Sequence, residues 1–226
     1  MKTMILAAGR GERLRPLTDR VPKTLVESGG RTLLDRHLDR IQAAGAREVV
    51  INAAHLAERI QAHLRAHPRP GLGITLSIEP EALETAGGIA NVLARLGTAP
   101  FLLVNGDVYC EIDLAPLCAR SLGTQLAHLV LVTNPAHRPE GDFSLDGDRV
   151  GTRGEPRYTY TGIAVLSPRL VAGIRPGEKA PLAPLLRAAA AEGRISGELY
   201  AGPWFDVGTK ERLAALDAYL AARHDH

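Results

Sequence analysis

The fold and the candidate site are both indicated by residues 6–18, which read Leu-Ala-Ala-Gly-Arg-Gly-Glu-Arg-Leu-Arg-Pro-Leu-Thr. This segment directly follows an apolar burst of strand length at Met4–Leu6. Glycines and small residues let the backbone approach a ligand closely, and consecutive free N–H groups form a nest for an anion. Arg10, Arg13 and Arg15 add guanidinium groups, which bind phosphate through paired hydrogen bonds. The segment therefore predicts a phosphate-binding loop, with a solvated surface turn as the alternative.

Two common phosphate-binding motifs do not match this loop. The dinucleotide fingerprint requires a third glycine where Leu14 stands, and the P-loop requires a Gly-Lys-Ser/Thr sequence that is absent. An oxidoreductase with a dinucleotide cofactor is therefore disfavoured. Shortly after the loop, Pro22 stiffens the chain so that Lys23 projects from a fixed backbone. We interpret Lys23 as a further phosphate ligand.

Apolar runs of strand length alternate with stretches of helical periodicity. Near-continuous apolar strands separated by helices are typical of βαβ units with a parallel sheet. The strands are expected at Met4–Leu6, Val49–Ile51, Ile74–Ile78, Phe101–Val104 and Leu129–Val132. Of the helices between them, the first is expected to end at Gly45 and the second at Pro68. The third is expected to begin just after Gly88.

From about Pro135 the pattern changes to shorter strands. The sequence predicts a hairpin over Phe143–Val150, strands at Tyr158–Tyr160 and Ile163–Leu166, and helices at Pro168–Ile174, Leu182–Ala190 and Thr209–Ala222. We predict one α/β domain, residues 1–226, with a Rossmann-like, mostly parallel sheet flanked by helices. Its halves are expected to cover about residues 1–134 and about residues 135–226, and the second half carries a small β-rich lid.

Composition excludes several classes of protein. The formal net charge of +2 and an aromatic content of 4% disfavour a nucleic-acid partner. Two cysteines support neither a disulfide framework nor a four-ligand zinc site, which favours a cytoplasmic location. No apolar run is long enough for a membrane span, so no membrane partner is expected. The histidines at positions 55, 63, 67 and 128 are interpreted as surface or helix-face residues.

Two aspartates follow apolar segments and are candidate metal ligands. Asp107 comes directly after the strand at Phe101–Val104, and ligands of open α/β sheets bind at the carboxyl ends of strands. Asp206 lies among apolar neighbours before a helix for which Thr209 is the expected N-cap. Two carboxylates combined with waters and substrate phosphates are the ligands that Mg²⁺ prefers. We therefore expect Mg²⁺ as the cofactor, held by Asp107 and Asp206.

Together these segments resemble the sugar-phosphate nucleotidyltransferase family. The family's opening signature matches residues 6–14 and Pro22-Lys23, its Gly-Asp metal motif matches Gly106-Asp107, and its late metal aspartate matches Asp206. The loop that holds the nucleotide base is similar to residues 84–88. The resemblance implies a nucleotide-binding first half, a sugar-binding second half, and a reaction of UTP or another NTP with a sugar-1-phosphate that releases pyrophosphate.

The resemblance also implies roles for individual residues. Arg13 and Lys23 would be catalytic, and Asp107 and Asp206 would bind the metal. Nucleotide contacts would come from Ala7, Ala8, Gly9, Arg10, Gly11, Glu84, Gly87 and Gly88. Sugar contacts would come from Asn105, Asp142, Thr161 and Gly162, although a structural role for Asp142 in a Gly-Asp turn is a close alternative. Many relatives carry a Glu-Lys-Pro segment where this chain reads Glu155-Pro156-Arg157, so Arg157 and Lys179 are the candidate cations for the sugar phosphate.

Within the family, residues 105–108, 140–143, 182–186 and 204–209 resemble the short bacterial N-acetylmuramate-1-phosphate uridylyltransferases. This similarity implies formation of UDP-N-acetylmuramate from UTP in peptidoglycan recycling. A mannose-1-phosphate guanylyltransferase and a non-catalytic nucleotide-sugar sensor of the same fold are the alternatives. The oligomeric state is left open between a monomer and a homodimer.

Overall fold

A computed structural model describes residues 1–224 of the chain. Within these residues the strands are β1 (Thr3–Leu6), β2 (Glu27–Ser28), β3 (Arg31–Thr32), β4 (Glu48–Ala53), β5 (Gly73–Ile78), β6 (Phe101–Asn105), β7 (Val108–Cys110), β8 (Ala127–Val132), β9 (Phe143–Asp146), β10 (Arg149–Gly151), β11 (Arg157–Leu166), β12 (Ile195–Leu199) and β13 (Trp204–Asp206). The α-helices are α1 (Leu33–Ala43), α2 (Ala57–Ala66), α3 (Glu84–Asn91), α4 (Leu93–Leu96), α5 (Ala115–Ala119), α6 (Leu182–Ala191) and α7 (Lys210–His224).

Nine of the strands form one sheet in the order β5-β4-β1-β6-β11-β8-β12-β10-β9. The strands β5, β4, β1 and β6 run parallel, as their near-continuous apolar sequences predict. The strand β11 is antiparallel to both of its neighbours, β6 and β8, while β12 pairs with β8 in parallel. Because β11 lies between β6 and β8, the second half of the chain completes a sheet that the first half begins. The predicted α/β class, with a central sheet flanked by helices, is confirmed. The sheet itself is mixed, because β5, β4, β1 and β6 pair in parallel while the pairing beyond β6 is mainly antiparallel.

Helices cover both faces of the sheet. Leu34, Leu38 and Ile41 of α1 pack with Ile60 of α2 and Leu117 of α5 on one face. Apolar side chains of α3, α4 and α6 pack on the opposite face, against the strands around Phe101. Removing this apolar surface from water contributes roughly 25 cal/mol per Å², which makes the two layers the main source of stability.

A third, smaller cluster fixes the glycine–arginine loop (residues 6–18) against the rest of the molecule. Leu14 of the loop is fully buried together with Leu33 of α1 and with Leu216 and Leu220 of α7. The leucine that blocks a dinucleotide fingerprint is thus an anchor for the loop. The last helix therefore supports the loop from behind.

The β-rich lid is part of the main sheet. β9 and β10 form the predicted hairpin, and β9 also pairs with the start of β11. The segments predicted as two strands, Tyr158–Tyr160 and Ile163–Leu166, are one strand whose register with β8 shifts between Tyr160 and Ala164. Gly162, at a φ of +83°, lies within this irregularity.

Three local predictions are wrong. The helix expected to begin after Gly88 begins at Glu84, because the carbonyl of Ala180 accepts hydrogen bonds from Ala86 N and Gly87 N and satisfies the first turn. The helix expected over Pro168–Ile174 is a 3₁₀ turn over Pro168–Val171. His128 is neither a surface nor a helix-face residue, since it is buried in β8 and hydrogen bonds to Ser196 Oγ at 2.9 Å.

No helix within residues 1–224 combines the length and the apolar character that a membrane span requires.

Candidate active site

A cleft runs along the edge of the sheet where the parallel strands β1, β4 and β6 end. A cavity of about 340 Å³, here called the nucleotide-side cavity, is lined by the ends of these strands at Leu6, Asn52 and Asn105. A second cavity of about 450 Å³, the sugar-side cavity, lies between α6 and the lid. Both cavities share Glu84, Thr85 and Asn105, so they form one continuous cleft. Its position agrees with the rule for open α/β sheets.

The glycine–arginine loop borders the nucleotide-side cavity through Ala8 and Gly9. A side chain at Gly9 would meet open space, which leaves the backbone there accessible to a ligand. Gly11 has a φ of +66°, and its carbonyl accepts a hydrogen bond from Thr18 Oγ1 at 2.8 Å. Since few residues other than glycine adopt this conformation, Gly11 sets the turn of the loop. Ala7 is buried behind the loop, where its N–H donates to Asn52 Oδ1.

The three loop arginines take different positions. Arg10 lines a recess of about 480 Å³ that adjoins the nucleotide-side cavity and shares Lys179 with it. Arg13 is exposed and points toward the backbone at Gly208, where an added Cβ would lie 3.1 Å from its Nη2. Arg15 forms an ion pair with Asp19 on the outer surface. The expectation that all three guanidinium groups face a phosphate is therefore wrong for Arg15.

Lys23 and Asp107 form an ion pair with one another. Lys23 Nζ donates to Asp107 Oδ2, and the lysine side chain is only 12% exposed. Pairing offsets the cost of holding both charges in a partly buried position. Gly106 makes the close approach possible, because a Cβ there would lie 2.5 Å from Thr24 and 2.7 Å from the carbonyl of Leu6. The motifs Pro22-Lys23 and Gly106-Asp107, 84 residues apart, thus meet in the cleft.

Asp206 reaches the same region through a short antiparallel ribbon. The strand β13 pairs with β7 so that Asp206 lies opposite Val108, and Val207 N donates to the carbonyl of Asp107 at 2.8 Å. The carboxylate of Asp206 accepts two hydrogen bonds from Arg212, at 2.8 and 2.7 Å, and lies 3.2 Å from His137 Nε2. The fold therefore makes the backbones of the two aspartates neighbours, and each carboxylate has a cationic partner. The side chains line different cavities, because Asp107 lines the nucleotide-side cavity and Asp206 lines a recess of about 240 Å³ with His137 and Arg212.

The donor set at this point suits a hard divalent cation. The backbones of the two aspartates lie one register position apart across the β7–β13 ribbon, and both side chains retain exposure, at 35% for Asp107 and 21% for Asp206. Within residues 1–224 no group of three or more His, Cys, Asp or Glu side chains is placed to bind a metal. Two oxygen ligands completed by waters and substrate phosphates match Mg²⁺ and not zinc.

Gly87 and Gly88 are buried in α3 rather than exposed to the cleft. A Cβ on Gly87 would collide with the carbonyl of Glu178, so glycine allows the segment that carries Lys179 to cross the helix. A Cβ on Gly88 would lie 2.7 Å from Asn52 Nδ2 and 3.0 Å from Glu79 Oε1. Close packing thus explains both glycines, and their predicted contact with a base stays a prediction.

Glu84 is placed where the two cavities join. Its φ of +59° is unusual for a residue with a side chain, and backbone strain of this kind costs about 1–3 kcal/mol. Hydrogen bonds to Ala180 stabilise this conformation. The carbonyl of Ala180 accepts from the next turn of α3, and its N–H donates to the carbonyl of Leu83. The side chain of Glu84 lines both cavities.

Asn105 forms a wall of the sugar-side cavity and packs against the buried Gly162 of β11. A Cβ at position 162 would lie 2.6 Å from Asn105 Nδ2, so only glycine lets Asn105 lie against the strand. Asn105 lines both cavities, which agrees with its predicted place beside the sugar. Thr161 requires a correction. It is 1% exposed, and its hydroxyl donates to the carbonyl of Val130 at 2.8 Å, so that hydroxyl is not available to a sugar.

Asp142 lines the sugar-side cavity and also connects the lid to β11. Its Oδ2 accepts a hydrogen bond from Tyr160 N at 2.9 Å and forms an ion pair with Arg138 at 3.1 Å. Both alternatives that the sequence leaves open for Asp142, a sugar contact and a structural acid, are therefore compatible with its position.

The two candidate cations for the sugar phosphate are in different environments. Arg157 donates to the carbonyls of Glu140, Thr152 and Asp142, so its guanidinium holds the lid together from within. Lys179 lines the nucleotide-side cavity together with Asp107. Arg157 is thus corrected to a structural residue, and Lys179 remains the candidate.

Sequence reasoning missed several residues of the cleft. Asn52 ends the buried strand β4, donates to Glu79 Oε1 at 2.7 Å and accepts from Ala7 N, so it supports the glycine–arginine loop. A polar residue after an apolar strand is the signal that also identified Asp107, and it could have found Asn52. Arg138, Tyr160 and Arg187 line the sugar-side cavity without any motif to mark them.

Comparisons with known proteins agree with this geometry. The family model for nucleotidyl transferases matches residues 2–143. The N-acetylmuramate α-1-phosphate uridylyltransferase of Neisseria meningitidis is 46% identical, with 98% of this chain and 99% of that protein covered. The protein of the same name from Caulobacter vibrioides is 36% identical, with 96% of each chain covered.

Solved structures with low sequence identity share the fold. HddC from Yersinia pseudotuberculosis, in complex with GMP-PN, superposes with a TM-score of 0.78 at 20% identity, covering 96% of this chain and 98% of HddC. The glycine–arginine loop, the two aspartates of the β7–β13 region and the two-cavity cleft occur in a chain that belongs to the nucleotidyl transferase family.

Proposed function

We propose that this protein transfers the uridylyl group of UTP to N-acetylmuramate α-1-phosphate, forming UDP-N-acetylmuramate and pyrophosphate. The observation that carries the proposal is the ion pair of Lys23 with Asp107, where Asp107 lines a nucleotide-side cavity that is continuous with the sugar-side cavity and Asp206 lies on the strand paired next to it. Two relatives named for this activity, at 46% and 36% identity over nearly the full chain, support the choice of nucleotide and sugar.

The reaction is a direct displacement at phosphorus. An oxygen of the sugar phosphate attacks the α-phosphorus of UTP, the bond to the bridging oxygen of the β-phosphate breaks, and pyrophosphate leaves with the electron pair. Such a step needs in-line positioning and charge neutralisation rather than a covalent enzyme intermediate. Correct positioning of two reactants contributes roughly 7–11 kcal/mol to lowering a barrier. The continuous cleft is suited to this, because the cavities share a wall at Asn105.

Different basic residues are assigned to different phosphates of the two substrates. The backbone at Gly9 and the side chains of Arg10 and Arg13 approach from the glycine–arginine loop and are assigned to the β- and γ-phosphates, which become the leaving group. Lys23, held beside Asp107, is assigned to the α-phosphate or the attacking phosphate. Lys179 is assigned to the sugar phosphate because it lines the nucleotide-side cavity.

Asp107 and Asp206 are assigned to Mg²⁺. When bound, this ion supplies charge neutralisation for the phosphates on either side of the displacement. Lys23 and Arg212 form ion pairs with the two carboxylates and so hold them in place. Arg212 also extends toward Gly208, next to Arg13, and adds a second guanidinium at the leaving-group side.

A guanylyltransferase acting on mannose-1-phosphate is the second candidate. Relatives named for that activity include a zebrafish protein that is 28% identical over 97% of this chain, which spans 65% of that protein's length. We therefore test the two activities against each other. We further propose that the enzyme works in the cytoplasm, where nucleoside triphosphates are available, and supplies a nucleotide-linked sugar to peptidoglycan recycling.

The test measures pyrophosphate release for each of four NTPs with N-acetylmuramate-1-phosphate and with mannose-1-phosphate. UTP with N-acetylmuramate-1-phosphate should give the highest kcat/KM, and EDTA should remove the signal until Mg²⁺ is restored. A signal confined to GTP and mannose-1-phosphate would establish the second candidate. Binding of a nucleotide without pyrophosphate release under any condition would establish a sensor.

A further inference from the structure

The sugar-side cavity carries a cation that the protein does not neutralise. Arg187 projects from α6 and lines the cavity next to Leu182 and Leu186. Within residues 1–224 it takes part in no hydrogen bond or ion pair. The other arginine of the cavity, Arg138, is paired with Asp142 at 3.1 Å. The cavity therefore presents one unpaired positive charge to a ligand.

A second feature of the same cavity is a hydroxyl without a hydrogen-bond partner within residues 1–224. The hydroxyl of Tyr160 is buried, and the described part of the chain offers it no hydrogen-bond partner. Tyr160 lines the sugar-side cavity together with Phe143 and Leu182. A buried hydroxyl without a partner is unfavourable unless a ligand or water satisfies it. The cavity thus combines an unsatisfied hydroxyl, an unpaired guanidinium and an apolar wall.

These groups match the substituent that distinguishes muramate from other amino sugars. Muramate is glucosamine with a lactyl ether on O3, which adds a methyl group and a carboxylate. Arginine binds carboxylates through two parallel hydrogen bonds, and the apolar wall suits a methyl group. A neutral sugar such as mannose or N-acetylglucosamine offers no counterpart for an unpaired arginine.

The position of Arg187 agrees with the geometry of the sugar. The phosphate on C1 must lie toward Asp107, in the nucleotide-side cavity, where Lys179 is the available cation. C3 is two bonds from C1 through C2, so the substituent on O3 and the phosphate on C1 leave the ring at different positions. Arg187 lines only the sugar-side cavity.

We propose that Arg187 binds the lactyl carboxylate and selects N-acetylmuramate-1-phosphate over N-acetylglucosamine-1-phosphate, while the Tyr160 hydroxyl donates to the bound sugar. This inference rests on the proposed function, since it takes the sugar to be muramate. It assigns sugar selectivity to a side chain of α6 that directly follows residues 182–186.

The experiment compares kcat/KM for the two sugar phosphates with UTP and Mg²⁺, in the full chain and in four variants. Arg187→Gln should lower the ratio of kcat/KM for N-acetylmuramate-1-phosphate to that for N-acetylglucosamine-1-phosphate at least about fivefold, chiefly through KM, the effect of losing a charge-assisted hydrogen bond. Arg187→Lys should retain part of the ratio. Arg138→Gln should change it less, and Arg194→Gln, an arginine outside the cavity, should leave it unchanged.

The remaining outcomes separate the inference from the function. An unchanged ratio in Arg187→Gln, whether both activities fall or neither does, overturns the role of Arg187 but leaves the proposed function standing. A larger loss of ratio in Arg138→Gln than in Arg187→Gln transfers the role to Arg138 and overturns the inference. Wild-type protein that does not act on N-acetylmuramate-1-phosphate overturns the proposed function, and the inference with it.

Discussion

The two ends of the cleft are built in different ways. At the nucleotide end, the residues assigned to the phosphates and Mg²⁺ come mainly from a continuous segment, residues 6–23, and from Asp107 and Asp206, which follow or end strands. At the sugar end, single residues from four separate elements share the cavity: Asn105, Asp142, Tyr160 and Arg187. At the nucleotide end Lys23, Asp107 and Asp206 are held in ion pairs, whereas Arg187 at the sugar end has no ion pair within residues 1–224.

This difference has a physical origin. A phosphate chain is bound by backbone N–H groups and fixed cations, so its site needs particular backbone conformations and leaves a motif in the sequence. A sugar is bound by side chains on rigid elements, and each element can supply a residue without any local signature. The first kind of site is therefore common to a family, while the second can differ from one member to another.

The comparison predicts its largest effect at two Gly-Asp pairs of similar sequence. Asp107→Asn should lower pyrophosphate release by at least about 10³-fold, because it removes a carboxylate that the phosphates and Mg²⁺ require and leaves Lys23 unbalanced. Asp142→Asn, the matched change after Gly141, should cost no more than about tenfold, since an asparagine oxygen can still accept from Tyr160 N. Steady-state kinetics with Mg²⁺ titration measures both, and equal losses would mean that the two ends share the chemistry.

The next effect separates the arginines within the loop. Arg13→Ala and Lys23→Ala should each reduce turnover by about 10²-fold or more, as expected for the loss of one preorganised cation. Arg15→Ala is the matched control, because this side chain is 62% exposed and pairs with Asp19 outside the cleft. Its effect on kcat should stay within about twofold. Circular dichroism checks that each variant is folded, and near-normal turnover in both Arg13→Ala and Lys23→Ala would contradict the phosphate assignment.

At the sugar end a smaller effect is expected from backbone strain. Gly162→Ala should lower the free energy of unfolding by about 2–3 kcal/mol, because φ is +83° and the new Cβ would displace Asn105. Activity should also fall, by about tenfold, because the displacement of Asn105 changes the wall that the two cavities share. Gly177→Ala has a similar φ of +82° but open space around its Cβ, so it reports the strain alone. Equal destabilisation of the two variants would show that Asn105 is not displaced.

The sequence revealed most of the nucleotide end and little of the sugar end. The apolar strands and the Gly-Asp and Pro-Lys motifs carry their own local signals, so the sheet, the loop and the residues Lys23, Asp107 and Asp206 could be predicted. The ion pair between Lys23 and Asp107 could not, since it depends on how residues 84 positions apart meet. The packing roles of Gly87 and Gly88 depend on the 178–180 segment and on Asn52, which no local pattern reveals.

Misassigned residues follow the same logic. Arg15 and Arg157 have the residue type that phosphate binding needs. Arg15, however, forms an ion pair with Asp19, and Arg157 donates hydrogen bonds to three backbone carbonyls. Thr161 lies next to Gly162 in sequence, yet the pleat of β11 turns its hydroxyl inward to Val130. Residue type and spacing thus predict which groups can bind, and only the tertiary contacts decide which groups are free to do so.

The smallest effect concerns pH and lies beneath the nucleotide end. Burial, together with the nearby Arg40, lowers the pKa of His37 from 6.5 to about 4, although Asp107 opposes the shift. The unfolded chain therefore binds a proton between these values while the folded chain does not, so stability is fully present above pH 6.5 and falls as the pH drops toward 4. His37 should account for about 2 kcal/mol of stability lost between pH 7.5 and pH 5. Urea unfolding at both values measures this loss, and His37→Gln should reduce it by that amount.

His128, buried in β8 away from the loop, allows the two regions to be separated. Burial lowers its pKa in the same direction, and Arg120 adds to the shift. His128→Gln should therefore also weaken the acid dependence of unfolding. The effects of His128→Gln and His37→Gln should be independent, because the two imidazoles lie on different elements. The double variant should accordingly show additive effects. If His37→Gln leaves the loss between pH 7.5 and pH 5 unchanged, the charge balance around Asp107 must hold His37 protonated in the folded chain. The paired charges of the nucleotide end would then extend beyond Lys23 into α1.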